Sequence, residues 1–124
     1  MAKKNNPDSM TWRNKCDVLI KKMFKGKPCA ICGTTNNTCG HHIITRKCIP
    51  LRHDLRNIIP LCPSHHGFNN DIAAHSSYAP AQEAFRQWIK DNDTDGWWCY
   101  ENYKSMKKTK TYQEIYQELS YLLE

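Results

Sequence analysis

A small α+β domain, stapled by zinc and flanked by N- and C-terminal helices, is the fold expected of this chain. Between Cys29 and His75, cysteines and histidines recur at metal-ligand spacing among short apolar runs. Outside that stretch the apolar residues fall three and four apart, the period of amphipathic helices. The chain has 124 residues, 40% hydrophobic and 24% charged, enough for one small domain. Its mean hydropathy is −0.77, so the core is thin and a staple is expected.

Residues 1–9 are polar, with Asn5-Asn6-Pro7-Asp8 as a turn cluster, and are expected to be disordered. Ser9 or Thr11 can cap a helix running to about Phe24. Trp12, Cys16, Leu19, Ile20 and Met23 give it an apolar stripe, with Cys16 as a small buried hydrophobe. Gly26-Lys27-Pro28 ends the helix and leads into Cys29-Ala-Ile-Cys32-Gly33, the form of a zinc-knuckle turn. A tight turn brings two thiolates to one point, and Gly33 tolerates the positive φ such a turn requires.

Cys39-Gly40-His41-His42-Ile43-Ile44 reads as a short strand, so His41 and His42 should point to opposite sides. Residues 45–56 form a basic loop, and Asn57-Ile58-Ile59-Pro60-Leu61 a second strand. Cys62 and His65 repeat the spacing of the first pair, completing a four-ligand set of Cys29, Cys32, Cys62 and His65. Cys39 and Cys48 are nearby alternatives to His65. Pro63 suits the first turn of a helix, on which His66 would sit about 100° round from His65. Gly67, Asn69, Asn70 and Asp71 weaken that helix, so His75 could return toward His66 through a loop. If the helix continues instead, Asn70 lies one turn beyond His66.

Residues 80–91 read as a helix with Ala84, Phe85, Trp88 and Ile89 on its apolar face, and 91–96 as a loop. Trp97, Trp98, Tyr100 and Tyr103 form an aromatic cluster, either packed on the domain or free to stack bases. Lys104, Lys107, Lys108 and Lys110 make a basic patch. Thr109 or Thr111 caps a last helix, whose stripe of Tyr112, Ile115, Tyr116, Leu119, Leu122 and Leu123 could dock on the core or on another subunit. Residues 92–124 are expected to pack on the same domain as 10–91.

Seven cysteines, an odd number, and no apolar run after Met1–Asn5 point to a reducing cytoplasm, where such spacing means metal rather than disulfide. No stretch approaches the length of a bilayer span, so no membrane partner is expected. A net charge of +6 suits a polyanion such as nucleic acid.

Gly40-His41-His42-Ile43-Ile44-x-Arg46, then Asn57, then Leu61-Cys62-x2-His65-His66 resembles the HNH endonucleases of the ββα-metal class. The knuckle before the first His pair is similar to small phage-type HNH proteins, in several of which an Ala-His and then Pro, Phe and Trp follow, as His75, Pro80, Phe85 and Trp88 do here. The resemblance covers roughly residues 29–90. Many members carry Cys at the position of His65, and a common form of the motif has its third ligand one helical turn on, nearer than His75.

The resemblance implies a DNA phosphodiester hydrolase in residues 10–91, bacterial or phage-encoded, with His42 as general base. A neutral imidazole suits that role near neutral pH. His41 and His66 would hold a divalent cation, Mg²⁺ or another such as Mn²⁺, with His75 or Asn70 as third ligand. Asn57 would hold the loop and orient the His42 ring. The zinc at the four-ligand set would be structural, since it has no open position. Arg46, Arg52 and Arg56 are candidates for DNA phosphate contact, Arg46 foremost. A second copy of the chain or a phage protein is the further partner to expect. The competing reading is a non-catalytic zinc module that binds nucleic acid or a protein.

Overall fold

A computed structural model describes residues 6–123 as a small mixed α+β fold. Helix α1 spans Met10–Phe24, strands β1 and β2 span Cys39–His42 and Ile58–Leu61, and α2, α3 and α4 span Ala79–Asn92, Thr94–Asn102 and Tyr112–Leu122. One turn of π-helix, Ser64–Phe68, follows β2. None of the described helices is long and apolar enough to cross a membrane.

Side-chain caps satisfy free N–H groups at the starts of α1, α3 and α4. Ser9 Oγ accepts from the Trp12 amide, and Thr111 and Glu114 form a reciprocal capping box. Residues 91–96 are not a continuous loop. Asp93 Oδ1 accepts from the Gly96 amide at 3.0 Å and starts α3 at Thr94. The Asp- and Asn-rich run is a helix cap between α2 and α3, so the four aromatics lie on α3 and the turn after it. At Gly96 the helix backbone comes against Ile43, the residue after β1: an added Cβ would lie 2.6 Å from Ile43 Cδ1.

The strands pair antiparallel, with His41 opposite Ile59 and His42 opposite Ile58. Alternation along β2 then divides the core. Ile59 and Leu61 join Ile43, Phe85 and Ile89 under α2 and α3. Ile58 joins Cys16, Ile20, Tyr112 and Leu119, where α1 and α4 close the other side. The Cys16 thiol donates to the Tyr112 carbonyl at 3.2 Å, and burial pushes its pKa up to about 11. The last helix therefore docks on the core, while Tyr121 and Leu122 stay exposed.

Residues 1–5 of the segment expected to be disordered lie outside the described residues. The rest of it is anchored to α4. The Pro7 carbonyl accepts from the Gln113 amide at 2.9 Å, and Asp8 Oδ1 accepts from the Tyr112 amide at 3.0 Å. Asp8 also pairs with Lys108 at 2.6 Å.

Candidate metal centres and the histidine cleft

The knuckle is a tight turn. Gly33 has φ +78° and donates to the Cys29 carbonyl at 2.8 Å, while Cys29 donates to the Thr34 carbonyl at 2.8 Å. The Ala30 amide donates to the Pro60 carbonyl at 2.9 Å, which hangs the turn on β2 beside Cys62. Cys29, Cys32, Cys62 and His65 thereby form a cluster able to bind a metal ion. Cys32 and Cys62 Sγ stand 3.7 Å apart, and Cys62 Sγ and Cys29 Sγ lie 3.4 and 3.9 Å from His65 Nδ1. A zinc tetrahedron with ordinary bond lengths has sulfur–sulfur edges of about 3.8 Å and sulfur–nitrogen edges of about 3.6 Å. The donor set fits that ion. Burial alone would raise the Cys29 pKa, but backbone N–H groups around its sulfur outweigh it and bring the pKa down to about 6. Those amides favour a thiolate before any ion adds its charge. Neither Cys39 nor Cys48 belongs to the cluster.

A second group consists of His41, His66 and His75, with ligand nitrogens within 4.8 Å of one another. Ring centroids are 5.1 Å apart for His41–His66, 4.8 Å for His41–His75 and 5.1 Å for His66–His75. Asn69 resolves the two routes left open for the third member. Its amide donates to the Ser64 carbonyl, which ends the turn, and its Oδ1 accepts from the Asp71 and Ile72 amides at 2.7 and 3.0 Å. This Asx turn reverses the chain. Ala74 and His75 then donate to the carbonyls of His65 and His66 at 3.0 and 2.8 Å, which sets His75 beside His66. Asn70, the alternative third ligand, is exposed. His41 is 5% exposed. Burial lowers its pKa, and the neighbouring imidazoles add to the effect, down to about 3. It is therefore a neutral imidazole with one nitrogen lone pair for a cation.

His42 leaves the strand on the other side, as alternation requires. Its Nε2 lies 2.8 Å from the Arg52 carbonyl oxygen. A carbonyl can only accept, so Nε2 carries the proton and Nδ1 keeps a lone pair. Burial lowers the His42 pKa, helped by the charges of Arg46 and Arg52 and opposed by the carbonyl bond and Asp17. His42 and the trio line one cleft of about 640 Å³, walled by α1 and reached by Arg46 and Lys21.

Asn57 is wholly buried. Its Oδ1 accepts from the Ile44 amide at 2.7 Å, and its Nδ2 donates to the carbonyls of Ile44 and Leu51 at 2.9 and 3.1 Å. It pins both ends of the basic loop. It does not bond the His42 ring, whose partner is the Arg52 carbonyl on the loop that Asn57 holds.

Two of the three candidate phosphate contacts are committed elsewhere. Arg52 is half-buried and gives Asp17 two bonds, Nε to Oδ1 at 3.0 Å and Nη2 to Oδ2 at 2.6 Å. Arg56 pairs with Asp54 at 2.7 Å and lies over Trp98 at 4.2 Å. Arg46 is exposed at the cleft and makes no ion pair among the described residues. Arg86 and Lys90 stand over Trp97, both at 5.5 Å. Cations therefore already occupy space over the two tryptophans best suited to stacking bases.

Asp17 is the residue the sequence did not single out. It lies in the cleft wall and binds both Arg52 and His53, whose Nε2 is 2.6 Å from Asp17 Oδ1. His53 is thus a buried partner of Asp17. The signal was available in retrospect: Asp17 is the lone acidic residue of a lysine-rich helix, next to buried Cys16. Comparison of the chain with protein-family models, curated proteins and solved structures gives no match.

Proposed function

We propose that this protein is a metal-dependent DNA endonuclease of the HNH kind, with His42 as general base. One observation carries the reading: a tautomer-locked imidazole opens on the same cleft as three imidazoles gathered for a cation. A zinc knuckle has no use for either. His41, His66 and His75 would hold a divalent ion, which supplies charge stabilisation for the attacked phosphate and the leaving 3′ oxygen. All-imidazole ligation suits Mn²⁺, Ni²⁺ or Zn²⁺ more than Mg²⁺. His42 Nδ1 takes the proton of the attacking water while the Arg52 carbonyl holds the ring. Arg46, free at the cleft rim, meets a flanking phosphate. The Cys29, Cys32, Cys62 and His65 set, with four protein ligands, keeps β2 and the knuckle in register with the cleft. The net charge of +6 favours the polyanion.

The test is plasmid cleavage by wild type and His42→Ala, with Mn²⁺, with Mg²⁺ and with no added ion, alongside a zinc count. Wild type should cut only with added ion, and His42→Ala should keep its zinc and be inert. If wild type holds zinc but cuts no form of DNA, the chain is a zinc-stapled binding module and the enzyme reading falls.

A further inference from the structure

Asp17 is connected to the His42 ring through Arg52. Its carboxylate takes two bonds from the Arg52 guanidinium and one from His53. The Arg52 carbonyl in turn receives the His42 Nε2 proton at 2.8 Å. Arg52 Nη1 also reaches the Arg46 carbonyl at 3.3 Å, so one side chain ties both halves of the loop to α1. We infer that Asp17 is a positioning residue for His42, setting its tautomer and ring orientation through Arg52.

The argument is geometric. The basic loop contains two short 3₁₀ turns, at Ile49–Leu51 and Leu55–Asn57, and the Arg52 carbonyl lies between them. Asn57 bonds the loop at Ile44 and Leu51 but not at Arg52 itself. Backbone bonds hold the turn on either side, Arg52 N–H to the Ile49 carbonyl at 3.2 Å and Asp54 N–H to the Leu51 carbonyl at 3.3 Å; the side chains of Arg52 and His53 add a further restraint, and both end on one carboxylate. Bidentate pairing fixes the guanidinium in direction as well as distance. Without it the carbonyl can rotate, and His42 loses the acceptor that distinguishes its two nitrogens. Outer groups that orient a reactive imidazole through an intermediate bond commonly change activity about tenfold to a hundredfold.

The functional half of this inference rests on the nuclease reading; the structural half does not. Zinc-loaded protein carrying ¹⁵N-labelled histidine is compared as wild type, Asp17→Asn, Arg52→Gln and Leu119→Ala. The last weakens α1–α4 packing without touching the chain of bonds. At pH 8 the wild-type His42 ring should give the Nε2–H tautomer alone, and Asp17→Asn a mixture. In Mn²⁺-dependent plasmid nicking, kcat should fall at least about tenfold in Asp17→Asn. Its KM should stay within about twofold or decrease, because the change adds net positive charge. Leu119→Ala should keep both the tautomer and kcat. Arg52→Gln, which leaves the His53–Asp17 bond, should behave like Asp17→Asn and decides the matter if that variant does not fold. A wild-type ring spectrum and wild-type kcat in the variants would overturn the inference. If wild type cuts no DNA, the ring spectra alone decide it, and the nuclease reading fails separately.

Discussion

Replacing Asn57 by Ala removes the bonds that close the basic loop, and its cost can be worked from the structure. The side chain is fully buried and makes three bonds, to the Ile44 amide, the Ile44 carbonyl and the Leu51 carbonyl. A hydrogen bond contributes about 0.5–1.5 kcal/mol net, and a buried backbone group left without a partner costs about 1–3 kcal/mol. Part of that is recovered as the loop opens to water, so a loss of about 3 kcal/mol is expected. Asn57→Asp is the sharper variant. It keeps the shape and the acceptor for the Ile44 amide but turns the donor nitrogen into an oxygen facing two carbonyls. Its cost should match or exceed that of Ala, although no atom is deleted. The assay is urea unfolding followed by circular dichroism at fixed free zinc, since metal binding shifts apparent stability by mass action. With a slope of about 1.5–2 kcal/mol per M, the midpoint should fall by about 1.5–2 M in both variants. A shift below about 0.5 M in Asn57→Asp would refute the idea that this side chain holds the loop.

Four further outcomes are expected. Cys62→Ser should lose the zinc proposed for the Cys29, Cys32, Cys62 and His65 set and with it the cooperative fold, because a four-ligand zinc contributes about 10–16 kcal/mol against a domain stability of about 5–15 kcal/mol; zinc content and circular dichroism check this. Acid should do the same to wild type. The folded-state Cys29 pKa is depressed to about 6, so its stabilisation is complete above the unfolded thiol range and is lost as pH falls through 6. A chromogenic chelator should then report zinc release together with loss of helix. Arg46→Ala should raise KM for DNA and reduce the salt slope of binding by about one, with little change in kcat, measured by fluorescence anisotropy across salt. Gly96→Ala should lower stability by about 1–3 kcal/mol despite the better helix propensity of Ala, since its Cβ would overlap Ile43 and Asp93; thermal unfolding reads this.

The Cys29, Cys32, Cys62 and His65 cluster, able to bind a metal ion, was legible in the sequence because ligand spacing is a local property: a Cys-x2-Cys turn and a Cys-x2-His turn each close on one point without help from the rest of the chain. The opposite facing of His41 and His42 was legible for the same kind of reason, from strand alternation. The third histidine was legible only as one of two alternatives with Asn70, because His75 reaches His66 through the Asx turn at Asn69, and the same Asn-rich segment is compatible with a continuing helix. The start of α3 was misread because Asp93 serves equally as a loop former or a cap, and Gly96, a helix breaker elsewhere, is required there by close packing. Arg52 and Arg56 looked like free charge because nothing in a sequence marks the carboxylate each one meets. For Arg52 that carboxylate lies on α1, 35 residues away. The pairing of Asp17 with buried His53 is likewise long-range, 36 residues apart, which is why both escaped a reading based on spacing.

The central claim is that two metal sites have separate duties, one closed and structural, the other open beside His42. Titrating Mn²⁺ into zinc-loaded protein, with free Mn²⁺ followed by electron paramagnetic resonance and nicking followed in the same samples, tests it most directly. Wild type should bind one further equivalent, and cleavage should rise along the same curve. His66→Ala and His75→Ala should lose that equivalent while keeping zinc. His42→Ala should bind Mn²⁺ like wild type and remain inert. Mn²⁺ binding that survives His66→Ala, or cleavage that does not follow occupancy, would contradict the account.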